Sequence, residues 1–528
     1  MTPLTLTLGA GPLDLDMLDA ALGRSLHVTV TNEALRRVER GRQWVEQLMQ
    51  GDEAVYGLNT GFGPLKNKRI APEQLDRLQE NLILSHAVGV GQPAPPDIVR
   101  CMLLFKLHML LQGHSGVRRE IIDRLQVCLN ADMLPVVPTR GSLGASGDLA
   151  PLAHLVLALL GRGEMTAPVG SRAAGQRQTR PAAELLAAVA LEPLRLAAKE
   201  GLALINGTQF MSAYAANIAV RARRLADLAD LIACMTLEGL RGSVRPMDAR
   251  LHGLRPHPGA QTVAANVRRL MRDSEILRSH EGCERVQDPY SLRCIPQVHG
   301  AYRDALTHVG DVVTREINSV TDNPILFGDE PARPNDNGGS SAAGVEAISG
   351  GNFHGAPLAL VLDYVAIALT DLANISERRT YLLLSGHDGL PTLLMQDTGL
   401  NSGFMPPHYT AAALLNECKV LATPAAVDSI PTSLGQEDHV SMGATSALKA
   451  YEILDRVETV LAIEMMCAVQ ALDFRAPLRP GVGPRAAHAL IRQHIPHAEA
   501  DRWFGQDIAT AVRLLRELTE LRTIARGT

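Results

Sequence analysis

The most apolar parts of the chain repeat hydrophobic residues at helical spacing over long distances. Residues 211–240, 356–376 and 447–472 each place apolar side chains every three or four positions, and residues 100–112 show a shorter version of the pattern. Several of these stretches are too long and too apolar to be surface helices. We therefore expect a mainly α fold, with a central bundle of long helices covered by one another or by partner subunits.

The pattern changes along the chain and predicts three regions. Residues 1–185 form a mixed N-terminal region with two glycine-rich segments, residues 186–475 form the central bundle, and residues 476–528 hold shorter amphipathic helices such as 507–522. Residues 167–180 and 328–345 have the composition of mobile loops. Asp363 and Asp371 interrupt the apolar run 356–375, which favours a buried helix over a membrane span.

Composition narrows the class of protein. Hydrophobic residues make up 46% and aromatic residues only 3%, a mixture that favours helices, and the formal net charge of -5 gives no sign of a nucleic-acid or membrane partner. The 7 cysteines are scattered without C-x-x-C or zinc-site spacing, so no metal site is expected. Reduced thiols and the lack of a signal-peptide pattern predict a cytoplasmic protein.

One glycine-rich segment is the main candidate for chemistry. Residues 141–154 read G-S-L-G-A-S-G-D-L-A-P-L-A-H, whereas phosphate-loop, zinc-protease and nucleophile-elbow motifs are missing from the chain. By pattern alone the segment is a turn followed by a helix, with Asp148 as the cap and Pro151 in the first turn. That structural interpretation needs no catalytic role.

The same segment resembles the signature of the aromatic amino acid lyase family, which contains histidine, tyrosine and phenylalanine ammonia-lyases. Further family-like strings follow in the family's order and extend the resemblance over residues 55–515. They are Tyr56 in Y-G-L-N-T-G-F-G, Ser85-His86 in S-H-A-V-G-V-G, Asn206 in N-G-T-Q, Gln287, Tyr290 and Arg293 in V-Q-D-P-Y-S-L-R-C, Asn323 in T-D-N-P, Phe353 in G-G-N-F-H-G, Met405 in N-S-G-F-M, and Gln436-Glu437 in G-Q-E-D-H-V-S-M-G.

The resemblance implies a helical fold of the fumarase/aspartase-like type and a cofactor made from the chain itself. In the family, Ala-Ser-Gly cyclises into 4-methylidene-imidazol-5-one, so Ala145, Ser146 and Gly147 are expected to form this electrophile without a metal or a soluble cofactor. Small residues suit the tight kink that cyclisation requires. The resemblance also implies a homotetramer whose active sites are shared between three chains.

Roles for the remaining site residues also come from the resemblance. Tyr56 is expected to take the β-proton, which requires the site to lower its pKa, with help from a helix N-terminus near Asp148. Tyr290 is a second catalytic candidate, and Arg293 is expected to bind the substrate carboxylate. The other expected substrate-binding residues are His86, Asn206, Gln287, Phe353, Met405, Gln436 and Glu437.

The resemblance implies that the substrate is an aromatic amino acid, and the sequence favours tyrosine. A histidine at position 86 suits a phenol or an imidazole better than a bare phenyl ring, and Glu437 can accept a hydrogen bond from imidazole or hold an ammonium group. The strings after Gly207, Asn352 and Ser441 look more like bacterial tyrosine lyases. We therefore expect deamination of L-tyrosine to trans-p-coumarate, with histidine ammonia-lyase as the alternative. A 2,3-aminomutase and a non-catalytic helical scaffold remain open.

Overall fold

The computed structural model describes residues 3–51, 55–61, 63, 68, 70–169, 176–282, 284–328, 340–342 and 344–527. Helices dominate these ranges, and the mainly α expectation is confirmed. The α-helices are α1 Leu15–Ala21, α2 Asn32–Gln50, α3 Leu75–His86, α4 Pro96–Leu110, α5 Arg119–Ala131, α6 Leu149–Leu159, α7 Ala182–Ala188, α8 Glu200–Ile205, α9 Gln209–Gly239, α10 Ala249–Leu254, α11 Pro258–Leu270, α12 Glu275–Ser279, α13 Tyr290–Arg293, α14 Ile295–Ile317, α15 Ala356–Leu384, α16 Met405–Leu421, α17 Gly443–Asp473, α18 Val482–Ile491, α19 Phe504–Glu517 and α20 Thr519–Arg526.

The strands are short and belong to four small sheets. They are β1 Leu4–Leu8, β2 Leu26–Val30, β3 Val90–Pro93, β4 Leu134–Pro135, β5 Pro138–Arg140, β6 Glu164–Pro168, β7 Arg177–Pro181, β8 Ile325–Phe327, β9 Ser340–Ala342 and β10 Val345–Ile348. β1 pairs with β2 in parallel, β3 pairs with β5, and the two three-stranded sheets have the orders β4-β6-β7 and β8-β10-β9.

Two compact units divide the chain, and each gathers three segments. The first unit is Met1–Asn217, Gly310–Leu362 and Pro424–Leu448, and the second is Ile218–Val309, Asp363–Thr423 and Lys449–Thr528. Four of the boundaries fall inside the long helices α9, α14, α15 and α17. The division into three consecutive regions stays a prediction from the sequence pattern.

The periodic stretches are helices, as predicted. Residues 100–112, 211–240, 356–376 and 447–472 correspond to α4, α9, α15 and α17. α15 is long and apolar enough to cross a membrane by length and composition alone, but 67% of its most apolar window is buried within the protein. This burial is the behaviour expected of a core helix.

Three predictions about local structure need correction. Residues 507–522 are not one helix, because Leu518 has an extended backbone (φ -79°, ψ 99°) that separates α19 from α20. The predicted loop 167–180 contains the ends of β6 and β7, which pair as an antiparallel hairpin, while residues 170–175 lie outside the described residues. In the predicted loop 328–345, β9 pairs with β10, and residues 329–339 and 343 lie outside the described residues.

All four sheets lie in the first unit, together with the helices that hold the glycine-rich segment 141–147. Here α3 packs against α6 and α8, and α6 packs against α8. One residue separates that segment from α6, and three residues separate the end of α8 from the start of α9. The segment is therefore fixed between the start of one helix and the turn that joins two others.

The second unit buries charged side chains that partner each other. Arg379 on α15 donates to Glu464 on α17, with 2.5 Å between Nε and Oε1, and Thr236 on α9 donates to the same carboxylate at 2.8 Å. His299 Nδ1 lies 2.9 Å from Asp230 Oδ1. Because buried charges are tolerated only when they are paired and hydrogen-bonded, these contacts fix how the long helices face each other within this unit.

Candidate active site

The first unit contains a cavity of about 760 Å³ beside the glycine-rich segment. Six residues predicted from the sequence line it: Tyr56, Ala145, Ser146, Phe353, Gln436 and Glu437. They come from four separate parts of the chain, so the fold, and not sequence proximity, brings them together. A polar-lined cavity of this size is large enough for a small amino acid and its surrounding water.

The backbone of the Ala-Ser-Gly segment is bent sharply. Ser146 and Gly147 have consecutive positive φ angles of 49° and 79°. A Cβ at position 147 would lie only 2.2 Å from the carbonyl oxygen of Gly207, so only glycine fits there. Ser146 itself lines the cavity. The bend and the missing side chain at Gly147 fit a segment whose Gly147 nitrogen closes onto the Ala145 carbonyl.

Hydrogen bonds from Gly207 clamp this segment from the other side. Gly207 N donates to Ser146 O at 3.3 Å, and Asp148 N donates to Gly207 O at 2.8 Å. The two glycines, Gly147 and Gly207, also form an isolated parallel bridge. These backbone bonds hold the bend between the two glycines.

Asp148 stabilises a different helix from the one predicted. It stands at the N-cap of α6, but its side chain makes no cap bond there. Instead its fully buried carboxylate accepts from Met211 N at 2.9 Å, in the first turn of α9, and from Ser142 Oγ at 3.1 Å. Burial raises the pKa of Asp148 to about 7. Its carboxylate therefore ties the glycine-rich segment to the start of α9.

The pKa of Tyr56 is raised, not lowered as the sequence analysis expected. Burial is the largest cause, since it penalises the phenolate, and the Glu437 carboxylate adds to the rise. The Gly63 N–H donates to Tyr56 Oη at 3.4 Å, and this hydrogen bond lowers the pKa of Tyr56. The predicted helix N-terminus near Asp148 is not among the causes. Burial and the Glu437 carboxylate thus favour the protonated form of Tyr56.

Residues 436–439 form a polar part of the cavity lining. Thr432 donates its hydroxyl to Glu437 Oε2 at 3.0 Å, and its backbone N–H donates to the Glu437 carbonyl at 2.9 Å. These two bonds orient the Glu437 side chain, which lines the cavity. Next to it, the rings of His354 and His439 stack with centroids 5.8 Å apart.

Asn206 lies beneath the cavity lining. Its side-chain Nδ2 donates at 2.8 Å to the carbonyl of Asn323, which lines the cavity. The Asn206 Oδ1 is buried and has no hydrogen-bond partner among the residues that the structure describes. A buried acceptor of this kind is costly to leave unpaired, so Asn206 is suited to receive a hydrogen bond from a bound group.

Seven predicted residues are not in the lining of this cavity: Gly147 and Asn206, described above, and five more. His86 ends α3 in the first unit, where its Nδ1 lies 2.8 Å from the Leu82 carbonyl. The other four belong to the second unit: Gln287, Tyr290, Arg293 and Met405. Tyr290 is 71% exposed, and the Arg293 guanidinium lies over its ring, 4.5 Å from the centroid. The described cavity of one chain thus has no arginine in its lining to receive a carboxylate.

Six polar lining residues were not predicted as site residues: Thr60, Asn323, Ser349, His354, Asp438 and His439. All six stand inside or directly beside motif strings already identified, namely Y-G-L-N-T-G-F-G, T-D-N-P, G-G-N-F-H-G and Q-E-D-H. Their position within those strings was the available signal. The sequence pattern does not say which members of a motif face the cavity, because that depends on the turns in which they lie.

Comparisons with known proteins show the family to which the chain belongs. The model of the family "Aromatic amino acid lyase" matches residues 13–493. Histidine ammonia-lyase of Gloeobacter violaceus is 50% identical over 97% of this chain and 96% of its own length, and that of Myxococcus xanthus is 48% identical over 92% of both. The crystal structure of histidine ammonia-lyase from Trypanosoma cruzi has a TM-score of 0.88 at 38% identity, covering 99% of this chain and 95% of that one.

Tyrosine aminomutase from Streptomyces globisporus is also similar, with a TM-score of 0.89 at 33% identity over 100% of this chain and 99% of its own. The chain therefore belongs to the aromatic amino acid lyase family, and it is a carbon–nitrogen lyase of the ammonia-lyase type. Both of these sequence relatives are named histidine ammonia-lyase, whereas the motif strings had favoured tyrosine.

Proposed function

We propose that this enzyme is a histidine ammonia-lyase that converts L-histidine into urocanate and ammonia. The main support is the similarity to relatives named histidine ammonia-lyase over nearly the whole chain. Tyrosine, which the sequence analysis preferred, becomes the second substrate to test. The preference rested on short strings that flank the motifs, and identity over more than nine tenths of the chain carries more weight than those strings.

The observation in the cavity that supports histidine is the position of Glu437. Its carboxylate lines the same cavity as Ser146 and Tyr56, and Thr432 holds it in place. A carboxylate accepts a charge-assisted hydrogen bond from an imidazole N–H, and the neighbouring Gln436, Asp438 and His439 keep this wall polar. A bare phenyl ring would leave these groups without partners, which disfavours phenylalanine.

The electrophile is proposed to form from Ala145, Ser146 and Gly147, whose bent backbone fits the cyclisation. Once formed, 4-methylidene-imidazol-5-one supplies an electrophilic carbon that no ordinary side chain has. Tyr56 is proposed to accept the β-proton at Oη. A cationic substrate bound beside Glu437 would offset the negative charge that raises the pKa of Tyr56, so substrate binding would prepare this residue for proton transfer.

A homotetramer with shared active sites is proposed to complete the site. Helix α15 presents an apolar face at the protein surface, where Leu360 is 63%, Tyr364 45% and Ile367 49% exposed. These residues recur at intervals of four and three, so they lie on one side of the helix. An exposed apolar helix face suits a second copy of the chain. Such a copy is also the proposed source of the Tyr290 and Arg293 that approach each cavity.

A cytoplasmic location is proposed from the scattered cysteines.

The test is an ultraviolet scan of the purified enzyme with L-histidine, L-tyrosine and L-phenylalanine in separate reactions. A rising urocanate absorbance with histidine is the expected result. Coumarate from tyrosine, with no urocanate from histidine, would overturn the proposal and support the tyrosine preference predicted from the sequence. Chromatography of the products would reveal a β-amino acid if the enzyme were an aminomutase.

A further inference from the structure

Lys106 is a fully buried lysine next to the candidate active site, and the proposed mechanism does not use it. It lies in α4, and its side chain has no exposed surface. Its Nζ donates to Asn206 O at 2.6 Å and approaches Ala203 O at 3.3 Å. Complete burial of an amine costs free energy that specific hydrogen bonds must offset, so its contacts indicate a defined task.

The carbonyl that Lys106 holds belongs to the peptide unit between Asn206 and Gly207. This unit follows α8, and its N–H is the Gly207 N–H that donates to Ser146 O at 3.3 Å. One rigid peptide plane is thus held by the lysine on one side and holds the Ser146 carbonyl on the other. The next carbonyl, Gly207 O, accepts from Asp148 N at 2.8 Å.

We propose that Lys106 is a positioning residue for the cyclisation of Ala145, Ser146 and Gly147. By fixing the Asn206–Gly207 peptide unit, its amine fixes the two backbone bonds that keep the Ser146 carbonyl and the Asp148 N–H in place. This inference deepens the proposed function, because it depends on the Ala-Ser-Gly segment forming the electrophile.

The chemistry explains why the Ser146 carbonyl is the atom to hold. In the cyclisation, the Gly147 nitrogen bonds to the Ala145 carbonyl carbon, and that carbonyl oxygen leaves as water with the hydrogens of the Gly147 and Ser146 nitrogens. Ser146 loses its hydroxyl and its α-hydrogen as a second water. The Ser146 carbonyl is not consumed, so a donor to its oxygen can orient the segment before, during and after the reaction.

The charged groups around Lys106 act on its pKa in opposite directions, and its hydrogen bonds do not depend on them. Burial lowers its pKa to about 7, Asp322 and Asp148 act to raise it, and Lys199 acts to lower it further. Lys199 is already paired with Asp322 at 2.7 Å. An amine donates hydrogen bonds whether or not it is charged, so the hold on Asn206 persists in both protonation states.

The experiment measures dehydration of the whole chain by intact mass. Wild type, Lys106→Met and Lys106→Gln are purified at fixed times after a short induction, and circular dichroism checks that each is folded. His108→Phe is the matched control. His108 is also buried in α4, but its Nε2 contacts Asn318 Oδ1 at 3.0 Å and it has no bond to Asn206.

We expect the loss of two waters to be about tenfold slower or more in folded Lys106→Met, the size of effect that a hydrogen bond from a charged group can produce. Lys106→Gln, which keeps a donor on a shorter arm, should be intermediate, and His108→Phe should dehydrate at the wild-type rate. Dehydration of Lys106→Met at the wild-type rate would overturn the proposal. If Lys106→Met does not fold, Lys106→Gln decides: slowed dehydration supports the role, and a wild-type rate refutes it. A wild-type chain that never loses water would instead refute the electrophile.

Discussion

The raised pKa of Tyr56 sets the pH range in which this residue can accept a proton. Burial and the Glu437 carboxylate both favour the neutral phenol, so the basic form is scarce at neutral pH and increases as the pH rises towards and beyond the ordinary tyrosine value of about 10. If Tyr56 is the base, kcat/KM for histidine should rise with pH through the neutral and alkaline range. Steady-state assays across that range measure this.

The Tyr56→Phe variant is the control for this profile. It should keep its fold by circular dichroism and lose most turnover, leaving a small residual rate without the alkaline rise. A variant with near-normal turnover, or with the same pH profile as wild type, would remove Tyr56 from the proton transfer.

In this proposal, Glu437 determines which substrate the enzyme prefers. Glu437→Gln keeps the size of the side chain and its contact with Thr432 but removes the negative charge. We expect kcat/KM for histidine to fall about tenfold or more, since a hydrogen bond to a charged acceptor is replaced by a neutral one. The effect should appear mainly in KM. An unchanged KM for histidine would show that the imidazole binds elsewhere.

At the scale of elements, Asp148 links α6, α9 and the bent segment before α6. Asp148→Ala removes the acceptor for Met211 N and Ser142 Oγ, which should cost about 1 to 2 kcal/mol of stability, as the loss of a helix cap does. Because Ser142 lies just before Ala145, the same change should leave a fraction of the folded chains uncyclised. Thermal unfolding and intact mass measure the two effects separately. Complete cyclisation with lower stability would limit Asp148 to a capping role.

The sequence pattern predicted the long helices well because each buries a continuous apolar stripe, as α9 and α17 do. It missed the break at Leu518 because the apolar spacing continues across the break, and only the backbone angle changes. It also missed β7, whose residues are mostly exposed and polar and whose strand exists through pairing with β6. A periodic pattern shows which residues of one element are buried. It does not show which other elements pair with that element.

The same limit applies to the candidate site: its motif strings predict several residues, but not the effects of contacts that are distant in the sequence. Tyr56, Ser146 and Glu437 were predictable because each stands in a motif string, and the fold places them around one cavity. The direction of the Tyr56 pKa was predicted wrongly, because it depends on burial and on a carboxylate 381 positions away in the sequence. The sequence also could not predict that the Asp148 carboxylate accepts a hydrogen bond from α9, since that helix begins 61 positions later.

At the scale of the whole molecule, the predicted site residues fall into two sets. Tyr56 and Ser146 line the cavity of the first unit, whereas Tyr290 and Arg293 belong to the second. The Arg293 Nε is buried without a hydrogen-bond partner among the described residues, although its guanidinium also lies over the Tyr290 ring. Sharing of active sites between chains in a homotetramer accounts for both facts, because a carboxylate anchor would then reach the cavity of another copy.

Mixed tetramers test this arrangement directly. Tyr56→Phe and Arg293→Met chains, each expected to be nearly inactive alone, are co-expressed with different tags and purified through both. If Tyr56 and Arg293 of one site come from different chains, about a quarter of the sites in an equal random mixture combine two intact residues and regain activity. Tyr56→Phe mixed with Ser146→Ala is the control: these residues line one cavity of a single chain, so every site keeps a defect. Recovery only in the first mixture requires shared sites, whereas inactivity in both, with tetramers present by light scattering, places Arg293 and Tyr56 in the same chain's site.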